Sequence, residues 1–198
     1  MKYDLLRDSD IRKSLYSSLL KKYATTPNTI VLNELGLLQG ACRIDIAVVN
    51  GSFHGYEIKS EADTLERLPY QEKIYSKILD KVTLVIGENH IQKALKVIPD
   101  WWEVQLTKHK KNGSIKFEQF RKGRANKNIE AKSLVQLLWK NEVIEILQSK
   151  TIPTKELRKS KNELYDILIQ EFSLKDLKVL VRNAMKNRKD WTDHLRPW

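Results

Sequence analysis

The chain has 198 residues, of which 41% are hydrophobic and 31% charged, enough for one domain, or one domain with a smaller appendage, and for a core that needs no staples. A single cysteine, Cys42, excludes an internal disulfide and points to a reducing, cytoplasmic setting, while the acidic N-terminus and the lack of any apolar stretch near ~20 residues argue against a secreted or membrane-spanning protein. The net charge of +11 is unevenly placed: residues 1–106 hold 14 Lys+Arg and 14 Asp+Glu, so the whole surplus lies in residues 107–198. Such an asymmetry points to an anionic partner, nucleic acid first, because phosphate contacts dominate that kind of binding; a solvated lysine-rich surface is the plainer alternative.

In chain order, Ile11, Leu15, Leu19 and Tyr23 fall four apart and predict an opening helix capped at Asp8 or Ser9. Residues 29–32 read as a short extended segment. The densest strand signal is Arg43-Ile-Asp-Ile-Ala-Val-Val49, then Asn50-Gly51-Ser52, then Phe53-His-Gly-Tyr-Glu-Ile-Lys59, a β-hairpin pattern. A helix is predicted over 65–80, a buried strand over 81–86, a short helix over 90–98 stopped by Pro99, and strands over 101–106 and 114–120. From 108 to 132 there are nine Lys or Arg against Glu118 and Glu130, which reads as an exposed hairpin or loop. Three amphipathic helices follow, over 133–147, 154–172 and 173–189, the last opening with capping-box-like Ser173 and Asp176. The order is that of an α/β fold with a mixed sheet: a core over 1–106, a basic segment over 107–132 and a C-terminal helical part over 133–198.

The informative residues are Glu34, Asp45, Glu57 and Lys59. A carboxylate in a run as apolar as Ile44-Asp-Ile-Ala-Val-Val49 is costly to bury unless it is paired or ligates a metal. Glu57 and Lys59, two apart, share one strand face. Register decides whether Asp45 joins them: a two-residue Asn50-Gly51 turn pairs Asp45 with Tyr56, and a three-residue loop pairs it with Glu57. The odd register is expected. Neighbouring carboxylates would favour Mg²⁺ or Mn²⁺, which can acidify a water and stabilise charge on a phosphate, with Lys59 assisting. The plainer reading of the same residues is a salt bridge on a solvated sheet face.

Ile44-Asp45 followed by Glu57-Ile58-Lys59 resembles the core of the PD-(D/E)XK nuclease superfamily, and Gln71-Glu-Lys-Ile-Tyr75 resembles the Q-x-x-x-Y motif of its RecB-like and λ-exonuclease-like branch. Glu34-Leu-Gly36, Arg43-Ile-Asp-Ile-Ala-Val-Val-Asn-Gly51, Gly55-Tyr-Glu-Ile-Lys-Ser60 and Asp63-Thr-Leu-Glu-Arg-Leu68 are similar to a small, largely uncharacterised bacterial and phage family within it. Ile44 stands where the name-giving proline would be. The resemblance implies a restriction-endonuclease-like αβββαβ core. It also implies Glu34, Asp45, Glu57 and the carbonyl of Ile58 as ligands of Mg²⁺ or Mn²⁺, Lys59 as the catalytic lysine, and Gln71 and Tyr75 behind it on one helix face. Tyr75 alone would otherwise read as a half-buried tyrosine.

The expectation is therefore a Mg²⁺-dependent DNA nuclease hydrolysing phosphodiester bonds, its substrate gripped by Lys108, Lys110, Lys111, Arg121, Lys122 and Arg124. The alternatives on the same fold are a non-catalytic nucleic-acid binder, and an interaction module that docks a protein partner through the C-terminal helices. Four scattered histidines and Cys42 give no zinc pattern. His54 reads as surface, Cys42 as packing, Trp101 and Trp102 as split between core and surface, and Trp191 and Trp198 as anchors of the tail.

Overall fold

A computed structural model describes residues 6–110 and 113–188; Lys111, Trp191, His194 and Trp198 lie outside them. The fold is mixed α/β. Helix α1 (Asp8–Tyr23) leads into strands β1 (Ile30–Leu37), β2 (Cys42–Val49) and β3 (Phe53–Lys59). Helix α2 (Leu68–Ile78), β4 (Lys81–Ile86), the short α3 (Ile91–Ala94), β5 (Glu103–His109) and β6 (Ile115–Arg121) follow. Helices α4 (Ala131–Leu134), α5 (Lys140–Gln148), α6 (Lys161–Glu171) and α7 (Leu174–Asn187) complete the described chain. The six strands form one sheet in sequence order, antiparallel from β1 to β3, parallel from β3 to β5, and antiparallel again at β6.

Two apolar layers sandwich the sheet. On one face α1 packs Ile11, Leu15 and Leu19 against Ile46, Val48, Tyr56, Ile58 and Val85. On the other, a larger core joins Ile44, Ala47, Phe53 and Leu84 to Tyr75 and Ile78 of α2 and on to Tyr165, Leu177, Val181 and Met185 of the C-terminal helices. On this second side a buried carboxylate ties the sheet to α7: Asp80 accepts from the Phe53 amide at 2.7 Å and pairs with Lys178 and Arg182.

Val49 pairs with Phe53, so the hairpin loop is the three residues Asn50–Ser52 and the register is the odd one expected. Further along β2 the alternation breaks. Cys42 and Ile44 face the larger core, Ile46 and Val48 face α1, and Ala47 and Val49 return to the larger core. The slip falls at Asp45. Opposite it, Glu34 interrupts the β1 ladder between Asn33↔Ile46 and Leu35↔Ile44 and takes φ 50°, a left-handed conformation costing a non-glycine residue about 1–2 kcal/mol.

Several predicted elements change their bounds. The extended segment at 29–32 is the start of an eight-residue strand that carries Glu34. The helix predicted over 133–147 is broken at Leu138 and Trp139, which are extended, and it restarts where Glu142 Oε2 accepts from the Trp139 amide at 2.6 Å. The helix predicted over 154–172 starts only at Lys161, after a capping box between Ser160 and Glu163. Ser173 caps α7 as expected, accepting from the Asp176 amide at 3.2 Å. No helix among the described residues is long and apolar enough to cross a membrane.

Candidate functional site

At the β2 slip the sheet opens into a pocket of ≈ 760 Å³ lined by Asp8, Arg12, Glu34, Arg43, Asp45, Glu57, Ile58, Lys59, Asp63, Arg67, Tyr70 and Gln71, among others. The structure therefore brings Glu34, Asp45, Glu57, Lys59 and Gln71 to one place. Their bonding, however, divides them into two closed groups.

The first group is centred on Arg12, which the sequence reading missed. Its Nη2 lies 2.7 Å from Asp45 Oδ1 and 3.0 Å from Asp8 Oδ2, and its Nη1 lies 3.5 Å from Glu34 Oε1. Arg43 Nη1 takes the other Glu34 oxygen at 3.4 Å. Asp45 Oδ2 accepts from the Ile58 amide at 2.7 Å. The Ile58 backbone thus engages Asp45 through its N–H. The sequence signal for Arg12 was faint: it stands one residue after Ile11 of the apolar stripe and four after Asp8, and nothing local announces a partner 33 positions on.

The second group surrounds Glu57, which is 1% exposed. Oε1 accepts from Lys59 Nζ and from Gln71 Nε2, each at 2.6 Å, and Oε2 accepts from the Tyr75 hydroxyl at 2.6 Å. The hydroxyl has one proton, and the carboxylate takes it in preference to the Arg43 carbonyl at 2.9 Å, because a charged acceptor binds it more strongly. Gln71 and Tyr75 sit one turn apart on α2, and both reach Glu57. Tyr75 is fully buried, not half-buried. Gln71 Oε1 has no hydrogen-bond partner among the described residues; turning the amide over would set that oxygen against the carboxylate.

Burial, and then the charge of Glu57, push the Asp45 carboxyl up to about 7, against the pull of Arg12 and the Ile58 amide. Burial, and then Glu57, raise the Tyr75 phenol far above its ordinary range. The Asp45 shift gives a signed expectation. The folded protein keeps this proton to about pH 7 while the unfolded chain releases it near 3.8. The stability it contributes is therefore complete below the unfolded value and lost as pH rises through about 7. Asp45→Asn cannot titrate. Its unfolding free energy relative to the parent should rise by about 2–4 kcal/mol from about pH 4 to about pH 8. Urea unfolding at matched pH values measures this, and a difference that stays level with pH would contradict it.

These groups do not fit a divalent cation as they stand. Arg12 occupies Asp45 and Glu34, both Glu57 oxygens are filled by short bonds, and among the described residues no three His, Cys, Asp or Glu side chains converge to hold a metal. Of the expected phosphate contacts, Lys108 pairs with Glu88 at 3.0 Å and Glu118 at 3.6 Å. Arg121 donates to the carbonyls of Trp102 and Pro99 at 3.0 and 2.9 Å. Arg121 is thus committed to backbone carbonyls and Lys108 to ion pairs at the surface, whereas Lys110, Lys122 and Arg124 are exposed without such partners among the described residues. Trp102 is buried and Trp101 half-buried. His54 is half-buried, not a surface group: it stacks on Tyr56 and its Nε2 lies 2.8 Å from Thr83 Oγ1.

The family model described as bacteriophage P4 protein cII matches residues 1–196. Protein cII of Enterobacteria phage P4 is 30% identical over 187 residues, covering 93% of this chain and 69% of that relative. Two solved structures show a distant likeness. A protein of unknown function from Silicibacter pomeroyi, SPO1766, has TM-score 0.43 and 14% identity, with 74% of this chain and 92% of that chain covered. SfsA of Pyrococcus furiosus in complex with Ca²⁺ has TM-score 0.37 and 10% identity, with 59% and 65% covered. Neither likeness bears on function. The sequence match corrects the expectation of an enzyme: over nearly its whole length the chain matches protein cII. The closed carboxylate groups supply a physical reason why a D…ExK pattern need not mark a reaction centre.

Proposed function

This chain belongs to the family of bacteriophage P4 protein cII, and within that family we propose that it is a non-catalytic nucleic-acid-binding protein on a PD-(D/E)XK-like scaffold. One observation carries the reading. The acids of the central pocket are neutralised from within by Arg12, Arg43 and Lys59, while the surplus of +11 rests on the second half of the chain. A surface with such a surplus attracts a polyanion and releases its counterions on binding. Lys59, which the resemblance would make catalytic, here serves as the counter-charge of a buried Glu57. The carboxylates accordingly take part in folding and the cations in binding.

The test is fluorescence anisotropy of the full chain with a labelled duplex and a labelled single strand, in Mg²⁺ and in EDTA at equal ionic strength. At least one nucleic acid should bind, with affinities in the two buffers agreeing within about twofold, since cationic side chains and not a metal make the contacts. Absence of binding to either form, or binding that disappears in EDTA, would overturn the reading.

A further inference from the structure

Away from the carboxylate pocket, where β3, β4 and β5 begin, lies a second cleft of ≈ 500 Å³. Lys22, Lys81, Lys122 and Arg124 line it, around a floor that includes His54 and Glu103. The four cations come from three separate places: the last turn of α1, the first residue of β4, and the segment leaving β6. All four are exposed, and none forms an ion pair with an acid among the described residues. The one acid in the cleft does not serve them. Glu103 Oε1 accepts from Gln105 at 2.6 Å and from Gln119 at 3.4 Å, and Oε2 accepts from Thr83 at 3.4 Å, all neutral donors.

The cationic wall is held in place. Gly123 lies between Lys122 and Arg124 and passes so close to β5 that an added methyl would meet Glu103 Cβ at 2.9 Å and its backbone nitrogen at 3.0 Å. The Arg124 amide donates to the Trp101 carbonyl at 2.8 Å. The backbone that carries these two cations is thereby tied to β5 before any ligand arrives, which lowers the ordering cost of binding. The floor shows what the rim does electrostatically. Burial, then Lys81, then Lys22, hold the His54 imidazole down to about 3, so it stays uncharged beneath the lysines.

We infer that this cleft seats phosphoryl groups of a nucleic-acid backbone, with Lys22, Lys81, Lys122 and Arg124 as the contacts; this rests on the nucleic-acid-binding reading above and gives it an address. Four cations without an acidic partner among the described residues, one of them (Lys22) resting 5.2 Å over the Tyr23 ring, suit anionic oxygens around an opening of this size, and a mixed set of Lys and Arg on a backbone reads charge and not sequence. A free phosphate shares the chemistry but spans fewer of the four groups than a strand does.

The experiment compares the parent chain with two quadruple variants in duplex and single-strand binding across about 50 to about 200 mM salt. One is Lys22→Gln, Lys81→Gln, Lys122→Gln and Arg124→Gln. The other removes the same charge elsewhere, at exposed Lys93, Lys96, Lys140 and Lys175, each changed to Gln. The cleft variant should lose affinity by at least about tenfold, and its log–log salt slope should flatten by about 2–4, near 0.9 per lost contact. The control should keep the parent slope within about 1. NMR of the His54 ring at constant pH should show its resonances moving when the nucleic acid is added, and moving less with pyrophosphate at equal ionic strength. Equal losses in both variants, or none in the cleft variant, would overturn the cleft while leaving nucleic-acid binding in place. Failure of the parent to bind would overturn both. Saturable pyrophosphate binding without nucleic-acid binding would make the ligand a free phosphate and overturn the backbone assignment.

Discussion

Replacing Glu57 with alanine should lower the free energy of unfolding by about 3–5 kcal/mol, the usual cost of leaving one member of a buried ion pair without its partner. The side chains of Glu57 and Lys59 are 2% and 5% exposed. Without the carboxylate, the ammonium, the Gln71 amide and the Tyr75 hydroxyl lose their common acceptor together, and water cannot readily replace it. Lys59→Ala should cost less, about 1–3 kcal/mol, because Glu57 keeps two neutral donors. Replacing both charges, Glu57→Leu with Lys59→Met, should recover much of the loss, since an apolar pair of similar volume escapes the desolvation cost. Urea denaturation with an unchanged m-value reads all three. A Glu57→Ala loss below about 1 kcal/mol would mean that this network does not hold the fold.

Arg12→Ala should be the second large effect, about 2–4 kcal/mol at about pH 8, somewhat below a fully buried case because Asp8 and Glu34 are about one-third exposed at 37% and 33%. One guanidinium joins Asp8, Glu34 and Asp45, so its loss leaves three carboxylates facing each other across the pocket. The sign of the pH dependence follows. Asp45, already raised to about 7 with Arg12 present, rises further without it, and protonation relieves the repulsion. The penalty should therefore shrink as pH falls toward about 5. Unfolding curves at the two pH values check this, and a penalty that grows on acidification would contradict the role given to Arg12.

How much of this was legible in the sequence depended on whether the partners were local. The Asn50-Gly51-Ser52 turn between two apolar runs disclosed the hairpin, but its odd register was chosen only because pairing Asp45 with Glu57 requires it; Gln71 and Tyr75 could be placed together because four helical positions bring side chains to one face. Ser173 with Asp176 was a readable cap; Ser160 with Glu163 carried the same signal but was passed over inside the stretch read as one helix over 154–172. Arg12 was illegible, because its value lies in a contact 33 residues away made by packing α1 on the sheet. The slip at Asp45 was equally hidden, since it arises between strands, where Glu34 turns left-handed. Charge composition revealed the surplus but not its use: Arg121 is taken up by backbone carbonyls and Lys108 by surface ion pairs, while Lys22 and Lys81, outside the basic segment, complete the second cleft.

The enzyme expectation failed for a related reason. Acids and a lysine at D…ExK spacing are compatible both with a metal centre and with a set of internal counter-charges, and spacing alone does not separate them. The structure shows the acids with cationic and hydroxyl partners of their own, and the kinship is with protein cII.

The most direct measurement is the salt dependence of binding between the full chain and its preferred nucleic acid, run in EDTA and again in Mg²⁺ at matched ionic strength. The expected result is a steep fall of affinity with salt, corresponding to several phosphate contacts at about 0.9 each, superimposable in the two buffers, with the nucleic acid recovered intact. A flat salt response, or strand cleavage that appears with Mg²⁺ and stops on Asp45→Ala, would contradict the account.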